Sequence, residues 1–470
     1  MVRMTRRSYD DPNMDHLLID AAMRARRYLS GLAERPVAPQ PVALAQLDAF
    51  FEPLPEAPSD PVATLSLLDE AGSPATMASA GGRYFGFVIG GTLPAALAAN
   101  WLAGAWDQNA GLPVMSPVAA RLHDVVTGWL VDLLGLPPNS AVVFVSGAAM
   151  ANTAALAAAR DQQLSVAGWD VQTQGLFGAP EVTVVVGDSA HSTLFKALGL
   201  LGLGRERVVK VPSDDQGRMR AELLPKGLRA PVLVCAQAGE VNTGAFDPFV
   251  EVVDWTRERE GWVHVDGAFG LWALADLSRD QLTAGLSEAD SWATDGHKWL
   301  NVPYDCGITI VRRPEDLRRS FASVAGYLPP DVGFEAMHHM PQASQRAREV
   351  EVWAALRTLG RQGVADLVRN SCEHTATMAS ILRQAGLEIV NDVVLNQLLV
   401  RAGSDLLTVA LAEAVQADGT CWCGSTEWKG RPALRISVSN WATTSDDVEQ
   451  SAKAIVSAWR RLTARAEGDI

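Results

Sequence analysis

Short runs rich in valine recur between residues 86 and 325, and they constrain the fold more than any other feature of the sequence. They lie at 141–145, 182–186, 231–235, 262–265 and 308–311. Each run is apolar on both faces, and segments of helical pattern separate them. Strands buried on both faces and joined by helices form a mostly parallel sheet covered on its two sides. We therefore predict a large α/β domain over residues 86–325.

The flanking segments have different patterns. Residues 14–32 have the period of an amphipathic helix, and the prolines between 36 and 61 predict an extended arm, so residues 1–85 form an N-terminal helix and arm. Residues 326–470 show long helical patterns at 344–367 and 371–385, then strand-like runs at 394–400 and 433–438. This order predicts a smaller α+β C-terminal domain. The apolar stretch 93–106 is too short to span a bilayer and predicts a buried helix.

Charge and cysteine content limit the partners and the compartment. The formal net charge is -14, which argues against a nucleic-acid surface and favours a small-molecule partner. The first residues are basic but lack the apolar core of a signal peptide. The five cysteines show no metal-type pairing, and Cys421 and Cys423 have the spacing of packing residues on one face of a strand. We expect a cytoplasmic protein with no nucleic-acid or membrane partner.

Lys298 is the first candidate for chemistry. The chain has only six lysines, and Lys298 is flanked by Trp292, Trp299 and Leu300. An apolar setting would desolvate the amine and lower its pKa, which favours the nucleophilic neutral form. The alternative is an exposed lysine in a turn.

Asp266 is the second candidate, because it follows three apolar residues at the end of a predicted buried strand. The carboxyl ends of parallel strands are where such sheets bind ligands. His264 and Asp266 are also two potential metal ligands. No third ligand follows at a recognisable spacing, so we predict no metal site.

Two further segments follow predicted strands. The turn SGAAMAN (146–152) precedes an alanine-rich helix, and its small residues would let backbone N–H groups approach a phosphate at the helix N-terminus. His191 lies in DSAHS (188–192), where its ring could cover a planar cofactor. The alternatives are packing for the turn and a structural role for the histidine.

Together these segments resemble one family. SGAAMAN, DSAHS, HVDGAFG (264–270) and DGHKW (295–299) have the order and approximate spacing of the group II pyridoxal-phosphate-dependent amino-acid decarboxylases, which include aromatic amino-acid and glutamate decarboxylases. The resemblance runs from YFGFVIGG (84–91) to Arg435 and beyond. It implies the aspartate-aminotransferase type of fold, and a homodimer whose N-terminal arm wraps the partner and whose active sites lie at the interface.

The resemblance also implies roles for individual residues. Lys298 would bond covalently to the aldehyde of pyridoxal 5'-phosphate (PLP), Asp266 would pair with the ring nitrogen, and His191 would stack on the ring. Ala148, Ala149 and Ser291 would contact the phosphate, and His297 would help to hold the lysine. The implied cofactor site comprises Ala148, Ala149, His191, Asp266, Ala268, Ser291, His297 and Lys298.

Two positions depart from the family pattern. Asp295 stands where animal members often carry Asn near the phosphate, and an acid there needs a neutralising partner. Ala336 falls at the place of a mobile-loop tyrosine that donates a proton in members with aromatic substrates, while Tyr327 lies earlier. We hypothesise that His338 or His339 supplies this proton, since imidazole donates near neutral pH. The alternative is that both histidines are incidental.

The residues that bind the substrate are harder to predict. Arg435 lies in a predicted strand where related aminotransferases keep a carboxylate-binding arginine. Phe85, Phe87 and Trp106 are candidates for an aromatic pocket, with core packing as the alternative for each. The side chain of the substrate is not determined by the sequence.

The sequence therefore predicts a PLP-dependent carboxy-lyase that converts an L-amino acid to its amine and carbon dioxide. Without a loop acid, an aldehyde-forming oxidative decarboxylase is a variant of this prediction. An aminotransferase on the same fold, or a catalytically silent binding protein, would also be compatible with these residues.

Overall fold

The computed structural model describes residues 12–323 and 334–468. The helices in these ranges are α1 (Pro12–Ser30), α2 (Pro41–Ala45), α3 (Pro61–Leu67), α4 (Ser73–Ala75), α5 (Pro94–Trp106), α6 (Pro117–Leu133), α7 (Ala148–Val166), α8 (Val171–Gln174), α9 (Ser192–Leu200), α10 (Phe249–Arg257), α11 (Pro314–Phe321), α12 (Glu349–Gln384), α13 (Asp405–Asp418) and α14 (Ser445–Gly468).

A seven-stranded sheet forms the centre of the chain. Its strands are β1 (Ala141–Val145), β2 (Thr183–Gly187), β3 (Val209–Val211), β4 (Val232–Gln237), β5 (Trp262–Asp266), β6 (Ser291–Asp295) and β7 (Gly307–Val311). The order is β1-β7-β6-β5-β4-β2-β3, and β7 is antiparallel to both of its neighbours, whereas the other pairs are parallel. The predicted mostly parallel α/β fold is confirmed.

Helices cover both faces of this sheet, as the valine-rich runs predict. Along β4, Val232 and Val234 face the core that contains α6, α10 and part of α12. Leu233 and Cys235 face the other side, where α7, α9 and α11 pack. Successive side chains of a strand point to opposite faces, so a run that is apolar at every position buries both.

A second, antiparallel sheet follows in the chain, with the order β10-β11-β9-β8. Its strands are β8 (Glu388–Ile389), β9 (Gln397–Arg401), β10 (Gly424–Trp428) and β11 (Arg431–Ser437). Helices α13, α14 and the C-terminal part of α12 bury its apolar face. The domain boundaries at 85 and 325 stay predictions, and the second of these lies outside the described residues.

Helix α12 corrects the predicted break between two helices. The interruption falls at Gly360, with φ of 61°, and not between residues 367 and 371. A positive φ is available to glycine at little cost, so the helix axis changes there without a loop.

The N-terminal segment differs from the predicted extended arm. Helix α1 forms as expected, but the proline-rich connection contains α2, a 3₁₀ turn at Gln46–Phe50 and α3. Proline occupies the first helical position of α2 and α3, where its missing N–H is not needed. The arm is tied to the C-terminal domain by the hydrogen bond from Val37 N to Gly419 O.

Four strands were not predicted: β3, β6, β8 and β10. Strand β6 contains the polar residues Ser291, Thr294 and Asp295, so its sequence lacks the apolar pattern of a buried strand. All three side chains are nevertheless buried. Helix α5 was predicted to be buried, yet Trp101 and Leu102 are 46% and 54% exposed. One side of α5 is therefore an apolar surface of the single chain.

Within residues 12–323 and 334–468, no helix is both long and apolar enough to cross a membrane. All five cysteines are buried as free thiols, and Cys421 and Cys423 lie in the core of the C-terminal domain.

Candidate active site

Lys298 lies in the turn that follows β6, at the carboxyl end of the central sheet. Its Nζ is 3.0 Å from Asp295 Oδ2, and its side chain is 21% exposed. The predicted apolar setting of the amine is wrong, because Trp292 and Trp299 point into the core and bond to Leu286 O and Ser371 Oγ. A carboxylate, and not an indole, is the partner of the amine.

The chain packs closely around this turn. A side chain at Gly90 would overlap the carbonyl oxygen of Lys298, so the loop after Tyr84 must carry glycine there. Asn301 has φ of 57° and bonds through Oδ1 to Gly91 N. The lysine therefore extends from a backbone that two segments hold in place.

Asp266 is the last residue of β5 and is buried. Its Oδ2 accepts a hydrogen bond from Asn152 Nδ2 at 3.1 Å, and its Oδ1 accepts one from Ala268 N at 3.3 Å. Burial raises the pKa of Asp266, while the charges of His191 and Lys298 act in the opposite direction. Among the described residues no cation forms an ion pair with this carboxylate, so it is a buried acid that would gain from a positive partner.

A chain of hydrogen bonds behind Asp266 fixes its orientation. Asn152 Oδ1 is 2.8 Å from His264 Nε2, and His264 Nδ1 is 2.9 Å from Ser291 Oγ, which also accepts from Trp262 Nε1. Burial lowers the pKa of His264 to about 3, so the ring is neutral. Its Nε2 then carries the hydrogen, since Asn152 Nδ2 already donates to Asp266.

These bonds correct the prediction that Ser291 contacts the phosphate. Ser291 is the first residue of β6, at the end of the strand opposite to Lys298, and its hydroxyl is fully engaged by His264 and Trp262. Sequence reasoning missed Asn152 as an orienting residue, although it ends the turn SGAAMAN. His264 is also explained without a metal, and no three potential ligands cluster in the described parts of the chain.

His191 caps the N-terminus of α9, and its ring reaches the same site. Nδ1 accepts from Thr193 N at 3.3 Å and lies 2.7 Å from Thr193 Oγ1. Burial lowers the pKa of His191, Asp266 raises it, and Lys298 and Arg435 lower it further. His191 follows β2, Asp266 ends β5 and Lys298 follows β6, so the three predicted residues lie at the same edge of the sheet.

The N-terminus of α7 forms the floor of the site beside β6. Ala148 N donates to Asp295 Oδ1 at 2.6 Å, so the acid accepts the first amide of the helix. Ala149 follows in the first helical turn, and a Cβ at Gly147 would lie in ordinary van der Waals contact with His297 Cε1 and Asp295 Oδ1. The helix dipole favours an anion at this end.

His297 lies between Lys298 and the loop that precedes β7. Its Nδ1 accepts from Cys306 N at 3.0 Å, and its Nε2 is 3.6 Å from Asp295 Oδ1. The ring stacks on Tyr304 with centroids 4.2 Å apart. Burial lowers the pKa of His297, although Asp295 acts to raise it.

Arg435 lies on β11, is partly buried, and its charge acts on His191. Burial lowers its pKa, and the charge of Glu240 partly opposes this. Within the described residues it forms no ion pair, because Glu240 is bonded to the amides of Asn242 and Thr243. A partly buried cation without an anion is suited to bind one.

The three predicted aromatic residues lie in different surroundings. Phe85 is buried in the core of the C-terminal domain, which favours its packing role. Phe87 is 61% exposed and stacks on Trp422, which also stacks on Tyr84. Trp106 is the last residue of α5 and is 43% exposed.

His338 and His339 are both buried, away from solvent. His338 Nε2 is 3.2 Å from Glu335 Oε2, and His339 Nδ1 is 2.8 Å from Glu335 O. Phe334 stacks between His339 and His123. Ala336 lies in the same short helical turn, whereas Tyr327 is outside the described residues. This placement favours a structural role for the two histidines.

The residues fit PLP, the cofactor predicted from the sequence. A lysine amine, a helix N-terminus with small residues and a buried carboxylate without a cation lie around one space. They match the aldehyde, the phosphate and the protonated ring nitrogen of that cofactor. Fold and site together define a PLP-dependent enzyme with a mostly parallel α/β large domain.

Comparisons with known proteins agree. Residues 82–401 match the family model described as the pyridoxal-dependent decarboxylase conserved domain. The chain is 28% identical over 387 residues to L-2,4-diaminobutyrate decarboxylase of Rhizobium meliloti (strain 1021), covering 78% of this chain and 76% of that protein. It is 24% identical over 390 residues to aromatic-L-amino-acid decarboxylase of Bacillus atrophaeus, covering 78% and 79%. The solved structure of Oryza sativa TDC with PLP and tryptamine superposes with a TM-score of 0.90 at 22% identity, covering 97% and 100%.

The chain belongs to the pyridoxal-dependent decarboxylase family. It is a PLP-dependent amino-acid decarboxylase, a carboxy-lyase, as the sequence predicts. The aminotransferase, oxidative and non-catalytic alternatives are not favoured by these matches.

Proposed function

We propose that Lys298 holds PLP covalently and that Asp266 and His191 position its ring for decarboxylation of an L-amino acid. The observation that carries this proposal is the placement of the three residues at one edge of the sheet: Asp266 ends β5, Lys298 follows β6 and His191 follows β2. When bound, the cofactor supplies an electron-accepting ring that stabilises the negative charge left on the substrate Cα as carbon dioxide departs.

Asp266 holds a proton at the ring nitrogen of the cofactor. Its carboxylate is kept in one orientation by Asn152 Nδ2 and Ala268 N, so it does not reorganise during the reaction. The neutral His264 holds the amide of Asn152 in turn. Burial, which raises the pKa of Asp266 in the chain alone, strengthens its attraction for a cationic ring.

His191 covers the ring from the side of α9. Because Nδ1 accepts the amide hydrogen of Thr193, the neutral ring carries its hydrogen on Nε2. Burial lowers the pKa of His191 and keeps the ring neutral, which suits it to lie against a flat cofactor.

Ala148 and Ala149 present the N-terminus of α7 to the phosphate, and His297 steadies the turn that carries Lys298. Its Nδ1 accepts from Cys306 N and its ring packs on Tyr304, so the turn is anchored to the loop before β7. Ala268 links the two aspartates, since its N donates to the carboxylate of Asp266 and its O accepts from the backbone N of Asp295.

Arg435 is proposed to bind the substrate carboxylate. Its side chain is partly buried, its charge acts on His191, and it has no ion pair among the described residues; Arg binds carboxylates in bidentate fashion. Phe87, with its exposed ring face, and Trp106 are proposed to border the substrate side chain.

We also propose a homodimer with the active site at the subunit interface. The support is a set of exposed apolar side chains on α1 and α5, two helices whose residues Leu29 and Trp101 also line a cavity of about 1130 Å³. On α1, Leu18, Ile19 and Met23 are 62%, 58% and 61% exposed. On α5, Leu102 is 54% exposed. Contiguous apolar surface of this kind marks an interface.

Light scattering tests the assembly directly. The account predicts a mass twice the 50.3 kDa of one chain. The variant Leu18→Glu with Met23→Glu should be monomeric, and Lys453→Glu, an exposed change on α14, should leave the dimer intact. A monomeric wild-type protein would overturn this proposal.

We also propose a reducing, cytoplasmic location, which the five buried free thiols support.

A substrate screen tests the activity. Carbon dioxide and amine are measured for each of the twenty amino acids, with peroxide and aldehyde assays alongside. We expect release of carbon dioxide with an equal amount of primary amine from at least one of them, and no release by Lys298→Ala. Lys210→Ala is the matched control, since this lysine lies on β3 away from the site. Keto-acid formation without carbon dioxide would contradict the proposed reaction.

A further inference from the structure

Asp295 places a second negative charge where the cofactor phosphate is expected to bind. Its side chain is buried, with Oδ1 2.6 Å from Ala148 N and Oδ2 3.0 Å from Lys298 Nζ. One carboxylate thus occupies both the first amide of α7 and the amine that reacts with the cofactor. A neutral side chain here would accept the amide hydrogen without bringing a charge.

We propose that Asp295 competes with the cofactor phosphate for the N-terminus of α7, and so reduces what the phosphate group contributes to PLP binding. This inference rests on the proposed cofactor site. It assigns Asp295 as a positioning residue that decides how strongly the phosphorylated cofactor is preferred over its non-phosphorylated form.

Lys298 gives up its free ammonium group when it reacts with the cofactor. In the chain without cofactor, the ammonium of Lys298 balances the charge of Asp295. To condense with an aldehyde, the ammonium must give up a proton, and the new C=N bond forms with release of water. The nitrogen of Lys298 is then bonded to the cofactor and carries at most one hydrogen, so the ion pair between the free ammonium and the buried carboxylate of Asp295 is weakened.

The cofactor phosphate would be a second anion at the N-terminus of α7. It is an anion that needs the same N–H groups, and two anions at one helix terminus repel each other strongly in a buried site. Few cations are close enough to compensate. His297 Nε2 is 3.6 Å from Asp295 Oδ1, but burial lowers the pKa of His297 and favours its neutral form.

The other charged and titratable groups around the site do not remove this conflict. Tyr304 stacks on His297, Asp305 bonds to Arg348, and Cys306 is a buried thiol whose pKa is raised by burial. On the opposite elements, the charges of Asp266 and Arg435 act on His191. Asp295 is therefore the anion that the phosphate meets.

The experiment compares two ligands that differ only in the phosphate. Dissociation constants of PLP and of pyridoxal are measured by absorbance on the cofactor-free protein, for the wild type and for Asp295→Asn. Any effect of the substitution on Lys298 acts on both ligands and cancels in the ratio of the two constants. Asn keeps an oxygen for Ala148 N–H but removes the charge.

We expect the preference for PLP over pyridoxal to rise at least about tenfold in Asp295→Asn, which corresponds to about 1.4 kcal/mol. The control is Asp305→Asn. Asp305 also acts electrostatically on His297, but its carboxylate bonds to Arg348 and not to α7. The preference should stay within about twofold of wild type in this control.

An unchanged or smaller preference for PLP over pyridoxal in Asp295→Asn would overturn the inference. Asp295 would then have no effect on phosphate binding or would strengthen it. If that variant does not fold, Asp295→Ser gives the same comparison. Inorganic phosphate supplies a second measurement, since it should slow PLP binding more in the variant than in the wild type. Failure of wild-type protein to attach PLP to Lys298 would instead refute the proposed cofactor site.

Discussion

Asp266 and Asp295 are two buried carboxylates in one site, and their surroundings are opposite. Asp266 accepts hydrogen bonds from Asn152 Nδ2 and Ala268 N, both neutral donors, and burial raises its pKa. Asp295 accepts from Ala148 N at a helix terminus and forms an ion pair with Lys298. The first lacks a cation in the chain alone, and the second already has one.

This difference shows what the cofactor brings to each end of the site. A buried acid without a cation is stabilised when a protonated ring nitrogen arrives. A buried acid that is already paired must give up its partner when the lysine reacts and the phosphate approaches. The same residue type therefore assists binding at one end and opposes it at the other.

Substitution of Asp266 tests the first half of this comparison and should have the largest effect. Asp266→Asn removes the charge that keeps the ring nitrogen protonated. We expect kcat to fall about 10³-fold, or about 4 kcal/mol, with PLP still attached to Lys298. Steady-state kinetics and the absorbance of the bound cofactor measure this. A fall of less than tenfold would show that Asp266 does not serve the ring.

Arg435 extends the comparison to a cation without an anion. Arg435→Gln should raise KM for the amino acid about 30-fold, because a charged hydrogen bond to the substrate carboxylate is lost. Arg435→Lys should recover part of the affinity but not the bidentate geometry. PLP affinity should change little, and a large loss of cofactor binding with unchanged KM would contradict the assignment.

The stability of the cofactor-free protein separates the two acids directly. The pKa of Asp266 is raised in the folded chain, so its charge costs stability once the pH exceeds the unfolded pKa of about 3.9. Asp266→Asn should therefore stabilise the protein at pH 7 by about 1 kcal/mol. Asp295→Asn loses an ion pair and should destabilise it by about 2 kcal/mol.

Urea unfolding of both cofactor-free variants measures these shifts. The advantage of Asp266→Asn over wild type should grow as the pH rises from 4 to 7, because only the wild type then carries the buried charge. If the free energy of unfolding changed equally and with the same sign in the two variants, the proposed difference between Asp266 and Asp295 would be wrong.

The smallest effect on rate is expected from His338 and His339. Both are buried and bonded to Glu335, so a double change to Gln should leave amine formation within about threefold of wild type. Unfolding should become easier by about 1 to 3 kcal/mol, since Glu335 loses a partner in the interior. A loss of activity in a stably folded variant would restore the hypothesis that they donate a proton.

The sequence predicts the sheet and the main catalytic candidates because they depend on local patterns. Runs that are apolar at every position must be buried on both faces of the sheet. Asp266 ends one strand and Lys298 follows the next, and the carboxyl ends of these parallel strands meet at one edge. The strand β6 was missed, because Ser291, Thr294 and Asp295 have polar side chains whose partners lie far away in the chain.

Other features depend on contacts that no local pattern reveals. Asn152 is 114 residues from Asp266, and Asp295 is 147 residues from the amide of Ala148 that it accepts. The assignment of Ser291 to the phosphate failed for the same reason, since its hydroxyl is used by Trp262 and His264. The family pattern marks positions, whereas the bonds that each side chain makes are decided by the fold.

Reduction of the PLP-loaded protein with borohydride, followed by peptide mapping, tests the covalent assignment most directly. The account predicts one labelled peptide, with the pyridoxyl group on Lys298 and none on the other five lysines. A label on another lysine, or the absence of any label on a protein that binds PLP, would contradict it.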